Sequence, residues 1–302
     1  MRLVTYSRNG VPSIGVELDA GILDIPDAAS RFGHAHHIKG LGFPNEMIDL
    51  LQWEAGLGVV KQILERYRSA SSGKRPSLHP HDSVKLQAPL PRPGKIIALG
   101  LNYADHARET GKEIPQTPVV FAKFPSCVIG PGDPIRMPTV SKKIDWEVEL
   151  GVVIGKSCRN VAQEDALSYI AGYTIINDVG ARDLQKSDVQ WVRAKSLDGF
   201  CPMGPALVTV DELGDGSGLK MQTRVNGAIK QDSTTSNMIR GVASIVSYLS
   251  SSFLLEPGDV IATGTPAGVG FVRTPPEYLK VGDNIELFIE KIGNLRNRIV
   301  ES

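Results

Sequence analysis

The chain has 302 residues with 41% hydrophobic and 22% charged content, ordinary for a globular protein long enough to bury a large core in one domain or two. Lys plus Arg and Asp plus Glu both number 33, which excludes a nucleic-acid binder held by a broad basic surface and leaves little repulsion between copies. The start, Met1 to Arg8, lacks an apolar core of signal-peptide length, no run of about 18 apolar residues exists, and Cys127, Cys158 and Cys201 form no CxxC pair, so a reduced cytoplasmic protein without a membrane span is expected.

Taken in chain order, Leu3 to Tyr6 and Ile14 to Leu18 read as short strands around an Asn9-Gly10 turn. From Asn45 to about Tyr67, Met47, Ile48, Leu51, Val59, Val60, Ile63 and Leu64 recur at helical spacing, with Gly56 and Gly58 as the expected interruption. Ser69 to Pro76 reads as an exposed linker, and prolines 89, 91 and 93 mark entry into a main domain. The expected division is a small N-terminal α/β domain over 1–75, a linker over 76–94 and a catalytic domain over 95–302. Beyond Lys95, short apolar runs dominate: Ile96 to Leu99, Val119 to Phe121, Ala206 to Val210, Val260 to Thr263 and Ile285 to Ile289. The clearest helices are about 162–171 and 238–250. The pattern is α+β and β-dominated, without a βαβ repeat.

The chemistry centres on Asp145-Trp146-Glu147-Val148-Glu149-Leu150-Gly151-Val152. Trp146, Val148, Leu150 and Val152 fall on one face of a strand, and Asp145, Glu147 and Glu149 on the other. Acids two apart along a strand lie ~6.6 Å apart and repel unless a positive group sits between them. A hard divalent cation suits such oxygen ligands, and a half-exposed strand with solvated acids would show the same alternation. Asp178, ending the apolar run Tyr173 to Asn177, is a third candidate ligand that leaves coordination positions for water and a chelating substrate.

Around this run lie further polar groups. In Leu101 to Glu109, His106 and Glu109 share a face if the run forms a short helix, and a carboxylate beside an imidazole suits a general base. Arg182 can clamp a carboxylate, Gln185 can donate hydrogen bonds and Lys195 can neutralise an oxyanion or enolate. In Thr263-Gly264-Thr265-Pro266-Ala267-Gly268 small residues permit close backbone approach to a ligand, and Thr265 offers a hydroxyl and an amide. That stretch is neither a Walker motif nor a dinucleotide fingerprint.

In this order, Asn102-Tyr103 with His106 and Glu109, Asp145 to Gly155, Asn177-Asp178 with Arg182 to Gln185, Lys195 with Gly204-Pro205, and Gly258-Asp259 through Gly270 resemble the fumarylacetoacetate hydrolase family over about 95–300. The resemblance implies a mixed β-roll catalytic domain, a smaller N-terminal domain, a homodimer, and Mg²⁺ or Mn²⁺ held by Glu147, Glu149 and Asp178. It implies His106 and Glu109 on a lid that orders over substrate, with Lys195 catalytic. Tyr103, Arg182, Gln185, Gly264 and Thr265 are expected to position the substrate. The match is nearest the acylpyruvase and oxaloacetate decarboxylase type. Gly180 stands where Ser or Thr is common, and the further N-terminal Asp ligand of the longer fumarylacetoacetase has no equivalent.

The activity expected from this resemblance is cleavage of a C–C bond in a 2-oxo (2,4-diketo) acid to give pyruvate. His106, oriented by Glu109, would activate water, and Lys195 would stabilise the enolate. Decarboxylation of oxaloacetate and keto–enol or double-bond isomerisation use the same enolate chemistry. A metal-stabilised binding protein is the non-enzymatic alternative. The expected partners are a small 2-oxo acid and a second copy of the chain, with no nucleic acid and no membrane.

Overall fold

A computed structural model describes residues 1–33 and 42–302. Its largest element is an 11-stranded sheet. Along its main path the order is Gly21–Asp24, Val11–Leu18, Arg2–Arg8, Cys201–Thr209, Ile170–Asn177, Val148–Ile154, Val260–Ala262, Ile96–Gly100 and Val119–Lys123. A second sheet of five strands runs Ala228–Thr234, Lys220–Val225, Asn284–Ile289, Gly293–Val300 and Pro134–Arg136. The molecule is therefore strand-rich and mixed α/β. Among the described residues no helix is long and apolar enough to cross a membrane.

The β-branched and aromatic residues of these runs explain the strands, and alternation decides which core each side chain joins. Val148, Leu150, Val152 and Ile154 enter one cluster with Trp146, Tyr173 and the inner face of the five-stranded sheet, including Met221, Leu287 and Leu295. Val153 points the other way, into a cluster with Leu3, Ile14, Leu50, Val60, Ile176 and Leu207. Both faces of the central strand are thus covered.

The N-terminal hairpin turns at Asn9 and Gly10, both at positive φ as a tight hairpin demands. Its first strand pairs with Cys201–Thr209, Leu3 opposite Leu207, and also with Lys85–Leu86. Ala88 and Leu90 are buried, so 76–94 runs against the body of the molecule. The helical stretch after Asn45 divides into Met47–Gln52 and Gly56–Ser69; the break falls at Trp53 to Ala55, and Gly58 lies within the second helix. Gly56 is needed there, since a Cβ would sit 2.2 Å from the Leu50 carbonyl oxygen.

Two expected helices differ in extent. The stretch near 162–171 is a 3₁₀ segment, Gln163–Tyr169, because Ile170 already belongs to the β-branched strand Ile170–Asn177. The later helix spans Val242–Ser252, starting after Gly241.

Candidate active site

The strands converge on a buried carboxylate group. In the antiparallel register Val148 faces Asn177 and Glu149 faces Ile176, so Glu147 comes opposite Asp178. The backbone fixes that pairing: the Asp178 amide donates to the Glu147 carbonyl at 2.9 Å. The Glu147 amide donates to Asn177 Oδ1 at 3.1 Å. Carboxylate oxygens of Glu147, Glu149 and Asp178 lie within 4.8 Å of one another. All three side chains are buried, as is Asp145, so they are not the solvated acids that the alternation alone also allowed.

Three cations answer these acids. Lys195 Nζ donates to Glu147 Oε2 at 2.6 Å and to Asp178 Oδ2 at 2.8 Å. Lys123 Nζ donates to Asp178 Oδ1 at 2.7 Å and to the Lys195 carbonyl. Arg182 gives Nε to Asp145 Oδ2 at 2.8 Å, one terminal nitrogen to Glu147 Oε1 at 2.5 Å and the other to Gln185 Oε1 at 2.8 Å. Its guanidinium also stacks over Phe271 at 4.3 Å. Arg182 is therefore not an open fork awaiting a substrate carboxylate; it braces Glu147 and Asp145.

The electrostatics split the acids. Burial opposes ionisation of Glu147, but Lys195 and Arg182 outweigh it and hold its carboxyl down at about 2. Glu149 is pushed well above the usual carboxylate range by burial first, then by the charges of Asp178 and Glu147. A backbone donor answers it: the Gly264 amide reaches Glu149 Oε2 at 2.7 Å. A group raised by crowded like charges in a dry site is what a divalent cation would relieve, and three hard oxygen donors fit Mg²⁺ or Mn²⁺ in type. The residues present thus fit a resident divalent ion.

Glu147 and Glu149 of the triad border a cavity of about 460 Å³. His106, Glu147, Glu149, Arg182, Gln185, Lys195 and Thr265 all border it. His106 comes from the helix Ala104–Thr110, which the chain enters through Leu101 at φ +53 and leaves through left-handed Gly111. His106 Nδ1 lies 3.3 Å from Glu109 Oε2, and Glu109 Oε1 accepts from the Gly268 amide at 2.9 Å. Glu109 thus ties the imidazole to the glycine-rich loop without itself bordering the cavity. The helix start is held by Asp105, which accepts from Ser233 Oγ at 2.6 Å.

Of the expected substrate-positioning residues, Thr265 borders the cavity and Tyr103 and Gly264 do not. Tyr103 is fully buried in the core with its hydroxyl 3.3 Å from Met221 Sδ, so it anchors the start of the helix Ala104–Thr110 and does not border the cavity. Gly264 serves Glu149 through its amide. The Thr265 hydroxyl donates to the Val148 carbonyl at 3.0 Å and accepts from Gln231 Nε2 at 2.8 Å, which fixes the loop against the central strand.

Lys123 was not singled out from sequence. It ends a strand as a lone basic residue, and its partner Asp178 is 55 residues away, so no local spacing could reveal it. The aromatic lining was also unread: Phe121 and Trp191 meet edge to face at 5.3 Å, and Phe271 and Tyr278 also border the cavity. Gly100 makes room for Trp191, whose ring would lie 2.9 Å from an added Cβ.

Comparison with known proteins agrees with this architecture. Residues 95–300 match the family model described as fumarylacetoacetate (FAA) hydrolase C-terminal. A relative named oxaloacetate tautomerase Fahd2a, mitochondrial, from Rattus norvegicus is 42% identical over 267 residues, covering 86% of this chain and 85% of the relative. Among solved structures, a fumarylacetoacetate hydrolase from psychrophilic Exiguobacterium antarcticum is 37% identical with a TM-score of 0.83, covering 100% of both chains. A maleylpyruvate hydrolase from Sphingobium sp. SYK-6, in complex with manganese(II) and pyruvate, is 29% identical with a TM-score of 0.79, also covering 100% of both chains. The ordered acids, the helix that carries His106 and these matches together place the chain in the fumarylacetoacetate hydrolase family, as an enzyme of that family.

Proposed function

We propose that this enzyme interconverts the keto and enol forms of a 2-oxo acid, with oxaloacetate as the reference substrate and Mg²⁺ or Mn²⁺ as the cofactor. The observation that carries this is the triad of buried carboxylates within 4.8 Å of one another, two of which, Glu147 and Glu149, border a cavity shared with His106 and Lys195. The 42% identical relative named as an oxaloacetate tautomerase favours that reaction over others of the same chemistry.

When bound by Glu147, Glu149 and Asp178, the divalent ion would supply Lewis-acid polarisation of the substrate's carboxylate and keto oxygens. His106, held by Glu109, takes the proton from C3 of the keto form. Lys195 supplies positive charge, and a proton, at the C2 oxygen as the C2–C3 double bond forms. Proton exchange with solvent then resets both side chains. Arg182 keeps Glu147 ionised and aimed, and the lid excludes water from the enolate.

Hydrolysis of an acylpyruvate is the second reading. The His106–Glu109 pair favours it, since the same base can activate water, and a maleylpyruvate hydrolase shares the fold. One assay separates the two. Enol absorbance of oxaloacetate and release of pyruvate from oxaloacetate and acetylpyruvate are followed with Mg²⁺, Mn²⁺ or EDTA, for wild type and His106→Ala. Metal-dependent loss of enol absorbance without pyruvate release is expected. Pyruvate from acetylpyruvate would instead establish the hydrolase, pyruvate from oxaloacetate the decarboxylase, and turnover unaffected by EDTA would overturn the metal-dependent reading altogether.

A further inference from the structure

The central strand Val148–Ile154 pairs with Val260–Ala262 over Gly151 to Val153 and no further. Beyond Ala262 the chain turns away from the sheet. The Val148 amide and carbonyl on that edge would be left unmet in a buried place, which backbone polar groups avoid. Two side chains stand in for the missing rung. The Thr265 hydroxyl donates to the Val148 carbonyl at 3.0 Å, and the Val148 amide donates to Gln231 Oε1 at 3.0 Å.

Gln231 comes from the other sheet, in its edge strand Ala228–Thr234, and is fully buried. Its amide is saturated. Oε1 also accepts from Thr223 Oγ1 at 2.8 Å, and Nε2 donates to Thr265 Oγ1 at 2.8 Å and to the Pro266 carbonyl at 2.9 Å. Two donor and two acceptor positions are all used, a set that neither a carboxylate nor a thioether of similar length can reproduce.

What Gln231 grips is the middle of the loop that serves both halves of the site. Gly264 and Gly268, at φ +98 and +101, bracket the gripped stretch. The Gly264 amide reaches Glu149 Oε2 at 2.7 Å and the Gly268 amide reaches Glu109 Oε1 at 2.9 Å. The loop ends are held elsewhere: Asn102 Nδ2 donates to the Thr263 carbonyl at 2.8 Å, and the Gly270 amide donates to Asp145 Oδ1 at 2.7 Å. In between, Pro266 has no amide proton to anchor it, so its carbonyl and the Thr265 hydroxyl are the handles. The strand that carries Gln231 also backs the loop directly, since a Cβ at Gly268 would stand 2.1 Å from the Lys230 carbonyl oxygen.

We propose that Gln231 is a positioning residue: by clamping Thr265 and Pro266 to the central strand it aims the Gly264 amide at Glu149 and the Gly268 amide at Glu109, and so sets the metal site and the base together. The proposal rests on the reading above, in which Glu149 is a metal ligand and Glu109 orients His106. Gln231 itself touches no carboxylate of the triad.

The test compares Gln231→Met, which keeps length and burial but makes none of the four bonds, with Thr223→Val, which removes one buried hydrogen bond from the same amide and leaves the loop gripped. Hydrogen exchange in peptides spanning 263–270, Mn²⁺ affinity by calorimetry, and kcat and KM for oxaloacetate in saturating Mn²⁺ are measured for both and for wild type. Gln231→Met is expected to speed exchange in the loop, to weaken Mn²⁺ binding about tenfold, the scale of one charge-assisted hydrogen bond, and to lower kcat about tenfold with little change in KM. Thr223→Val should stay within about twofold of wild type in all of these. In a Glu109→Ala background, Gln231→Met should lower kcat by less than about threefold more, because the two act through one contact chain. If Gln231→Met melts well below Thr223→Val, Thr265→Val, which removes the same rung from the loop side, takes its place and should reproduce the exchange and affinity changes. Equal effects of Gln231→Met and Thr223→Val, an unmoved Mn²⁺ affinity, or full additivity with Glu109→Ala overturns the clamp. Absence of oxaloacetate turnover in wild type, with the exchange and Mn²⁺ results as expected, would instead retire the tautomerase reading alone.

Discussion

Glu147 and Glu149 lie two residues apart yet respond to pH in opposite senses, and the difference is set by what touches each. Glu147 has a folded pKa below its ordinary value, because Lys195 and Arg182 outweigh burial. Its contribution to stability is present above the ordinary carboxylate range and is lost as pH falls toward about 2. Glu149 has a raised folded pKa, so its contribution is full at low pH and is lost as pH climbs through that raised value. A metal ligand must be ionised, so binding a divalent ion at the triad is expected to expel a proton from Glu149. Calorimetry of Mn²⁺ binding in buffers of different ionisation enthalpy should show proton release, with affinity rising with pH. Glu149→Gln should abolish both the release and most of the affinity. Pair removal is harsher at Glu147: Glu147→Gln leaves Lys195 and Arg182 short of a counter-charge, and a loss of about 3 kcal/mol in a chemical denaturation curve is expected.

At the scale of elements, the helix that carries His106 is a short piece whose stability comes from its ends. Asp105 ties its start to Ser233 on the five-stranded sheet, while Glu109 ties its last turn to Gly268. Cutting the two ties has different consequences. Asp105→Ala should speed amide exchange across Ala104–Thr110 while leaving Mn²⁺ affinity near wild type, because no triad residue contacts Asp105. Glu109→Ala removes both the tether and the partner of His106, so kcat should fall about a hundredfold with a smaller change in KM. Equal kcat losses in the two variants would mean that lid order, not the orientation of the imidazole, controls the rate. The helix and its His–Glu pair were legible in sequence because their spacing is local. The central strand was legible because alternation has a period of two and continues through Val148 to Val152. The role of Tyr103 was not, because nothing in Asn102-Tyr103-Ala104 says which side of a turn will face the core. Lys123 was hidden for a related reason: a strand-ending lysine is ordinarily solvated, and only the tertiary contact that pairs Lys123 with the buried Asp178, distant in sequence, changes that. Arg182 was legible as a functional residue, but its partners were not, since its three-way contact with Asp145, Glu147 and Gln185 exists only after the short pairing of Gly180–Ala181 with Ile144–Asp145.

At the scale of the whole molecule, the small N-terminal part shares its hydrogen bonding and its core with the part that carries the site. Its first strand extends the main sheet at Cys201–Thr209, and the cluster containing Leu3, Ile14, Leu50 and Val60 also holds Val153, Ile176, Met203 and Leu207 from the catalytic strands. Each fully buried aliphatic side chain contributes about 1.5–3 kcal/mol, and a folded domain has about 5–15 kcal/mol of net stability. Exposing even a handful of these contacts exceeds that margin. Removal would also leave Cys201–Thr209 with an uncovered apolar edge, which invites pairing between copies. The fragment 95–302, although it spans every candidate catalytic and metal-binding residue, is therefore expected to aggregate or to lack a cooperative melt. Co-expression with the segment 1–94 should restore solubility, because the two pieces then rebuild one sheet. Circular dichroism melts and Mn²⁺ binding on the fragment, the co-expressed pair and the full chain provide the check. A soluble, cooperatively melting fragment that binds Mn²⁺ as the full chain does would show that the shared sheet is dispensable and that the site is built by residues 95–302 alone.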